Sequence, residues 1–219
     1  MSTTDSTSVA SDFIAALREA GLYVEPSERK PAAPYDPAAA IREQRMAHFK
    51  ELCPPEFLKP IDRSLLPVLR AWDESDAWAG STPGVWLWSR ETGQGKTRMA
   101  WRQFGRLHVN HGKHCLKATG QALAEEYFTY HMDGEPRAFY RWLARCDVLF
   151  IDDIDKIDLQ DRRYCRMLRE LFDELYAARK PVCVTSNEPI SYFAKFCGES
   201  CCRRMREVAR EIHFGAATT

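Results

Sequence analysis

The sequence predicts an α/β fold with a parallel sheet at its centre. Four short apolar runs, "VWLWS", "HCLKAT", "DVLFIDD" and "PVCVTSN", alternate with longer stretches whose apolar residues recur at helical spacing. The runs are mostly apolar rather than alternating, as expected of strands covered by helices on both faces.

The elements follow in order. Residues 1–40 are rich in Ser, Thr, Ala and Pro and are expected to be mostly flexible. Within them "SVASDFIAALREAGL" places Val9, Phe13, Ala16, Leu17 and Ala20 at helical spacing, with Gly21 as a stop. That short helix either docks on its own domain or serves a partner protein. Residues 41–79 read as a helical, proline-rich linker. A helical pattern runs from about Ala39 to Cys53, "CPPEFLKPIDRSLLP" crosses a surface, and a helix covers about Leu65 to Trp78. The main domain is 80–219, where "GKTRMAWRQFGRLHVNH", "GQALAEEYFTY", "PRAFYRWLAR" and "DRRYCRMLRELFDELYAARK" are the helices between and after the strands. No internal repeat is present.

Bulk composition narrows the function. With 31 Lys+Arg against 31 Asp+Glu the 219-residue chain carries no net charge, which argues against a strongly basic, DNA-coating protein. Its apolar runs are too short for a membrane span, and "MSTTDSTSVASD" has neither the basic start nor the apolar stretch of a secretory signal, so a soluble, cytoplasmic protein is expected. The eight cysteines sit mostly in apolar stretches and read as buried free thiols. Cys197, Cys201, Cys202 and His213 form the one plausible ligand cluster, but without paired C-x-x-C spacing.

The chemistry concentrates at the strand ends. "RETGQGKT" follows the first strand and fills the second half of the phosphate-loop pattern G-x-x-x-x-G-K-[ST], with Arg90 where the first glycine should stand. Gly93, Gln94 and Gly95 form a tight turn whose backbone N–H groups, with the positive end of the next helix, face a phosphate. Lys96 adds a mobile positive charge, and the Thr97 hydroxyl is placed to hold Mg²⁺. The third strand ends in Asp152 and Asp153; one carboxylate there can hold Mg²⁺ and its neighbour can orient an attacking water, although paired caps would also use acids. Asn187 ends the fourth strand and can bond a water and a terminal phosphate, or simply make a turn. On the long helix Arg162, Arg166 and Arg169, with Arg163 beside them, form either a stripe that tracks a phosphate backbone or a solvated face balanced by Asp161, Glu170, Asp173 and Glu174.

In order and spacing, "TGQGKTRMAW", "LFIDDIDK", "VTSN" and the late "CCRRMRE" resemble the Walker A, Walker B, sensor 1 and arginine-finger segments of AAA+ ATPases, specifically the DnaC/IstB-like helicase-loader branch. The resemblance covers about residues 80–214. It implies a P-loop NTPase core in which Thr92, Gly93, Gln94, Gly95, Lys96 and Thr97 contact ATP. It further implies that Thr97 and Asp152 serve Mg²⁺, Asp153 is the catalytic carboxylate where Glu is usual, Asn187 is sensor 1, and Arg204 is the finger with Arg203 its rival. ATP-dependent homo-oligomers, a replicative helicase or a transposase as partner through the N-terminal segment, and contact with single-stranded DNA are implied as well. Only residues 215–219 follow Phe214, so no C-terminal helical lid is expected, and turnover should be weak without a partner. An ATP-gated adaptor with little hydrolysis is the rival from another class. Arg90 is expected to reshape the start of the loop or add a charge near the γ-phosphate.

Overall fold

The computed structural model describes residues 36–62 and 69–215. The expected N-terminal helix and the flexible-segment reading fall outside them. Helix α1 (Pro37–Leu52) and the single turn α2 (Pro55–Leu58) precede α3 (Leu69–Asp76), which falls within the span expected to be helical from about Leu65 to Trp78; residues 65–68 lie outside the described residues.

The core then alternates strand and helix. β1 (Gly84–Trp88) leads to α4 (Lys96–Gly105), which continues into a π-helical turn over Arg106–Asn110. β2 (Cys115–Thr119) leads to α5 (Gly120–Met132) and α6 (Pro136–Ala144). β3 (Val148–Asp152) is followed by a 3₁₀ turn at Ile154–Lys156 and the long α7 (Arg162–Ala177). β4 (Val182–Ser186) precedes a 3₁₀ turn at Ile190–Phe193, the short α8 (Ala194–Cys197), α9 (Glu199–Val208) and β5 (Ala209–His213). Local signals set several of these starts. Thr119 caps α5 by accepting the Ala122 N–H, and Asp161 caps α7 by accepting the Arg163 N–H.

All strand pairs are parallel, and the sheet order is β2-β3-β4-β1-β5. Alternate residues of each strand face opposite layers. Trp86, Leu149, Ile151, Val182 and Val184 pack under α5, α6, α7 and α9, whereas Val85, Leu87, Val148, Phe150 and Cys183 pack under α3 and α4 with Trp72, Trp78 and Phe104. Two covered faces explain why these strands read as continuous apolar runs. The cysteines are free thiols, and Cys146 and Cys183 are buried as expected.

β5 is the one strand absent from the sequence reading. In "AREIH" only Ala209 and Ile212 are buried, while Arg210, Glu211 and His213 are exposed. The run therefore looks like the tail of a charged helix, although all five residues align in register with β1. Among the described residues no helix is long and apolar enough to cross a membrane.

Candidate active site

The strand order assembles the site. β4 lies between β1 and β3, so the loop after β1, the acids ending β3 and the asparagine after β4 emerge side by side at the carboxyl edge of the sheet. Beyond the strands, the Ser89 N–H still donates to the Ser186 carbonyl at 3.2 Å, which holds the first and last of these segments together.

Gly95 sits at the N-cap of α4 with φ 89°, a left-handed conformation that suits glycine, and a Cβ there would lie 3.3 Å from the Trp72 ring. No side chain caps the helix, so its first-turn N–H groups and positive end form the wall of the loop. Inside the loop Lys96 is buried and donates to the carbonyls of Ser89 at 2.9 Å and Glu91 at 3.3 Å, and to Asn187 Oδ1 at 3.2 Å. Burial lowers its pKa below the usual lysine value, and the nearby carboxylates of Asp155 and Asp153 counter that shift.

Asp152 is engaged at both carboxylate oxygens. Its Oδ1 accepts from the Thr97 hydroxyl at 3.1 Å and from the Thr185 hydroxyl, while Lys117 Nζ lies 2.8 Å from Oδ2. Asp153 occupies left-handed backbone space at φ 51° and ψ 51°. Its N–H donates to Thr185 Oγ1 at 2.9 Å, and its carbonyl accepts the Lys156 N–H at 3.0 Å. These bonds retain a conformation that a non-glycine residue adopts at a cost, a pattern that gathers at functional sites. Burial, then the charges of Asp152 and Asp155, raise the Asp153 pKa above the usual carboxylate value. The start of α5 closes tightly behind this turn: a Cβ on Gly120 would sit 2.8 Å from the Ile154 Cα.

Asn187 is gripped from below. Its main-chain N–H and its Nδ2 each donate to Asp155, at 2.9 Å. This orients Oδ1 toward Lys96 and makes Asp155, Asn187 and Lys96 one chain of polar contacts.

A cavity of about 590 Å³ opens above these groups. Thr92, Gly93, Gln94, Gly95, Lys96 and Thr97 line it together with Asp153 and Asn187. Phe57, Pro60 and Asp62 line it as well, and Arg98 and Lys156 add positive charge. The proline-punctuated stretch thus supplies an apolar wall that its sequence did not announce. Lys117, Thr185 and Asp155 were also not singled out; the charge inside "HCLKAT" and the third acid of "DDID" were the available signals.

Three of the expected participants lie apart from the cavity lining: Arg90, Arg204 and Asp152, the last of which meets the site through the Thr97 hydroxyl. Arg90 has a side chain 72% exposed and pairs with Glu188, Nε to Oε2 at 3.3 Å, so it ties the start of the loop to the segment after β4 rather than facing the cavity. Arg204, on α9, pairs with Asp173 at 3.0 Å and Glu207 at 2.6 Å and lies 4.1 Å over the Tyr176 ring. On α7, Arg163 pairs with Asp161 and Arg166 with Glu170, both at 2.7 Å, so much of that stripe is compensated locally.

The donor set fits a nucleoside triphosphate with Mg²⁺. The cavity has the volume of a small-ligand site, the loop presents N–H groups and an ammonium, and the Thr97 hydroxyl and the Asp152 carboxylate are the hard oxygen donors such an ion takes. A strand, a loop ending in Gly95, Lys96 and Thr97, and a helix follow one another as in a P-loop, at the carboxyl edge of a parallel sheet.

Comparison with known proteins agrees at the level of fold. No protein-family model matches the sequence, and no curated protein matches it. Among solved structures the chain is similar to the DnaC helicase loader, with a TM-score of 0.56 and 16% identity over 71% of this chain and 92% of that one. It is similar to DnaI, with a TM-score of 0.54 and 15% identity over 75% and 92% of the two chains. It also resembles AMPPCP-bound DnaA from Aquifex aeolicus, with a TM-score of 0.52 and 17% identity over 64% of this chain; the match spans 44% of the DnaA chain, less than half its length.

Proposed function

We propose that this protein binds ATP with Mg²⁺ and hydrolyses it, and that it works in DNA replication as a helicase-loader-like factor. The observation that carries the chemistry is a pair of polar chains that reach adjacent loop residues beside one cavity, Asp155–Asn187–Lys96 and Asp153–Thr185–Asp152–Thr97. In this reading Lys96 turns from its carbonyl partners toward the terminal phosphates, and Thr97 and Asp152 would hold Mg²⁺, which screens the phosphate charge when bound. Asp153 orients the attacking water and accepts its proton, a task suited by a pKa moved up from the usual carboxylate value. Asn187 holds the water or the γ-phosphate. Phe57 and Pro60 form the apolar wall against which a base can pack.

The replication role is supported by likeness to a helicase loader and to DnaA structures, one of them described as bound to AMPPCP and single-stranded DNA. A fluorescent ATP titration, combined with phosphate release from wild type and Asp153→Asn in the presence of DNA, tests the chemistry. Equal inactivity of the two proteins would leave no enzyme. Capture of partners with ATP present tests the role: a hexameric helicase supports loading, and a transposase would make the protein a transposition helper.

A further inference from the structure

Lys117 takes no part in the chemistry proposed above, yet it occupies the carboxylate assigned to the metal. Its position in β2 is level with Phe150 of β3, and its side chain reaches along the strands to Asp152, which is level with Thr119. The ammonium lies 2.8 Å from Asp152 Oδ2 and 4.7 Å from the centroid of the Trp101 ring, and the two charged side chains are 13% and 11% exposed. The other oxygen, Oδ1, already accepts from Thr97 and Thr185. Asp152 is therefore hydrogen-bonded at both oxygens and paired with a positive charge. A carboxylate this enclosed is costly to leave uncompensated.

We infer that Lys117 is a tethered cation, a positioning residue that keeps Asp152 compensated and lets the loop accept a nucleoside triphosphate with little dependence on divalent metal. The inference rests on the nucleotide-binding reading of the same site. An ion arriving at Thr97 and Asp152 must share the carboxylate with an ammonium, so it gains less there than at an unpaired acid. A polyphosphate arriving without an ion meets one fewer uncompensated negative charge. Arg preserves that balance and Met or Gln removes it.

The test uses the full chain and a fluorescent ATP analogue, with Kd measured in excess Mg²⁺ and in EDTA. For wild type the two constants should agree within about threefold. For Lys117→Met their ratio should grow by about tenfold, because the uncompensated Asp152 would hold an ion more tightly and repel a metal-free polyphosphate. Lys117→Arg should behave as wild type, and Lys117→Gln replaces the Met variant if circular dichroism shows that the latter is misfolded. The inference is overturned if wild type is itself strongly Mg²⁺-dependent, if the Met or Gln variant keeps the wild-type ratio, or if Arg changes the ratio as Met does. Failure of the underlying reading looks different: wild type and Lys96→Ala would both ignore the analogue in either buffer, and both proposals would fall.

Discussion

Asp155 holds Asn187 with both carboxylate oxygens, Oδ1 on the main-chain N–H and Oδ2 on the side-chain Nδ2, each at 2.9 Å. The clamp fixes which face of the amide meets Lys96, whose Nζ lies 3.2 Å from Asn187 Oδ1. An amide that must report a phosphate is useful only if its donor and acceptor ends cannot exchange. Replacing Asp155 by Ala should free the amide to rotate while leaving the loop intact. Turnover is expected to fall by roughly 10- to 100-fold, the cost of misplacing a group in a reacting site, while affinity for ATP changes little. Phosphate release and a fluorescent titration on the same preparation read the two quantities; equal loss in both would make Asp155 a structural support of the loop instead.

The two positive residues of the loop should separate cleanly. Lys96 is buried among carbonyls and faces the cavity, whereas Arg90 is exposed and paired with Glu188. Lys96→Ala would remove the charge-assisted bonds to phosphate proposed for it and should weaken ATP by roughly 100-fold or more. Arg90→Gly removes an exposed ion pair, and such pairs contribute about 0–1 kcal/mol, so affinity should shift by no more than about fivefold. Wild-type ATP binding by Lys96→Ala would make the loop a relic.

Asp153 predicts a pH effect on stability. Its pKa in the folded protein lies above the ordinary carboxylate value, chiefly through burial and then through Asp152 and Asp155. Between the unfolded and folded pKa values the native state binds more protons than the unfolded one, so stability falls as pH rises through that window. At neutral pH the ionised carboxylate is therefore a net burden on the fold. Asp153→Asn removes that charge and places in left-handed backbone space a residue that tolerates it. Its Tm at neutral pH should exceed that of wild type. The gap should close as pH is lowered below the ordinary carboxylate range. Melting curves across pH check this, and a wild-type Tm that rises with pH through the window would contradict it.

The parts of this fold legible in the sequence were those where local pattern and tertiary environment agree. β1, β3 and β4 are covered on both faces, so their side chains are apolar in either direction and the runs stand out. Asp152, Asp153 and Asn187 drew notice because they close or follow such runs, and Gly95, Lys96 and Thr97 because their own spacing falls between β1 and a helix. β5 was hidden because only Ala209 and Ile212 are buried along it, and three polar residues break the pattern. Phe57, Pro60 and Lys117 were hidden for another reason: they come to the site through tertiary packing from distant segments, and sequence spacing carries no record of that approach. The compensation of Arg163 and Arg166 depended similarly on side-chain geometry that composition alone left open between two readings.

Arg204 sits at the opposite limit from Lys96: the finger assignment requires it to act at a cavity it does not line. It is held on α9 by Asp173 and Glu207 over Tyr176, with a side chain 29% exposed. A guanidinium kept rigid at the surface by two carboxylates can be presented to the cavity of a second copy without first being ordered. The Arg204→Ala variant should therefore bind ATP as wild type does, because its own loop is untouched. It should lose ATP-dependent assembly and about 10³-fold in hydrolysis, the magnitude typical of such an arginine. Mixing sharpens the test. Lys96→Ala subunits cannot hold nucleotide but retain Arg204, whereas Arg204→Ala subunits have the converse defect. Combined, they should regain hydrolysis that neither shows alone, as measured by phosphate release at fixed total protein. No recovery on mixing, with Arg203→Ala as inactive as Arg204→Ala, would mean that neither arginine acts across subunits and that the pairs on α9 hold the fold alone.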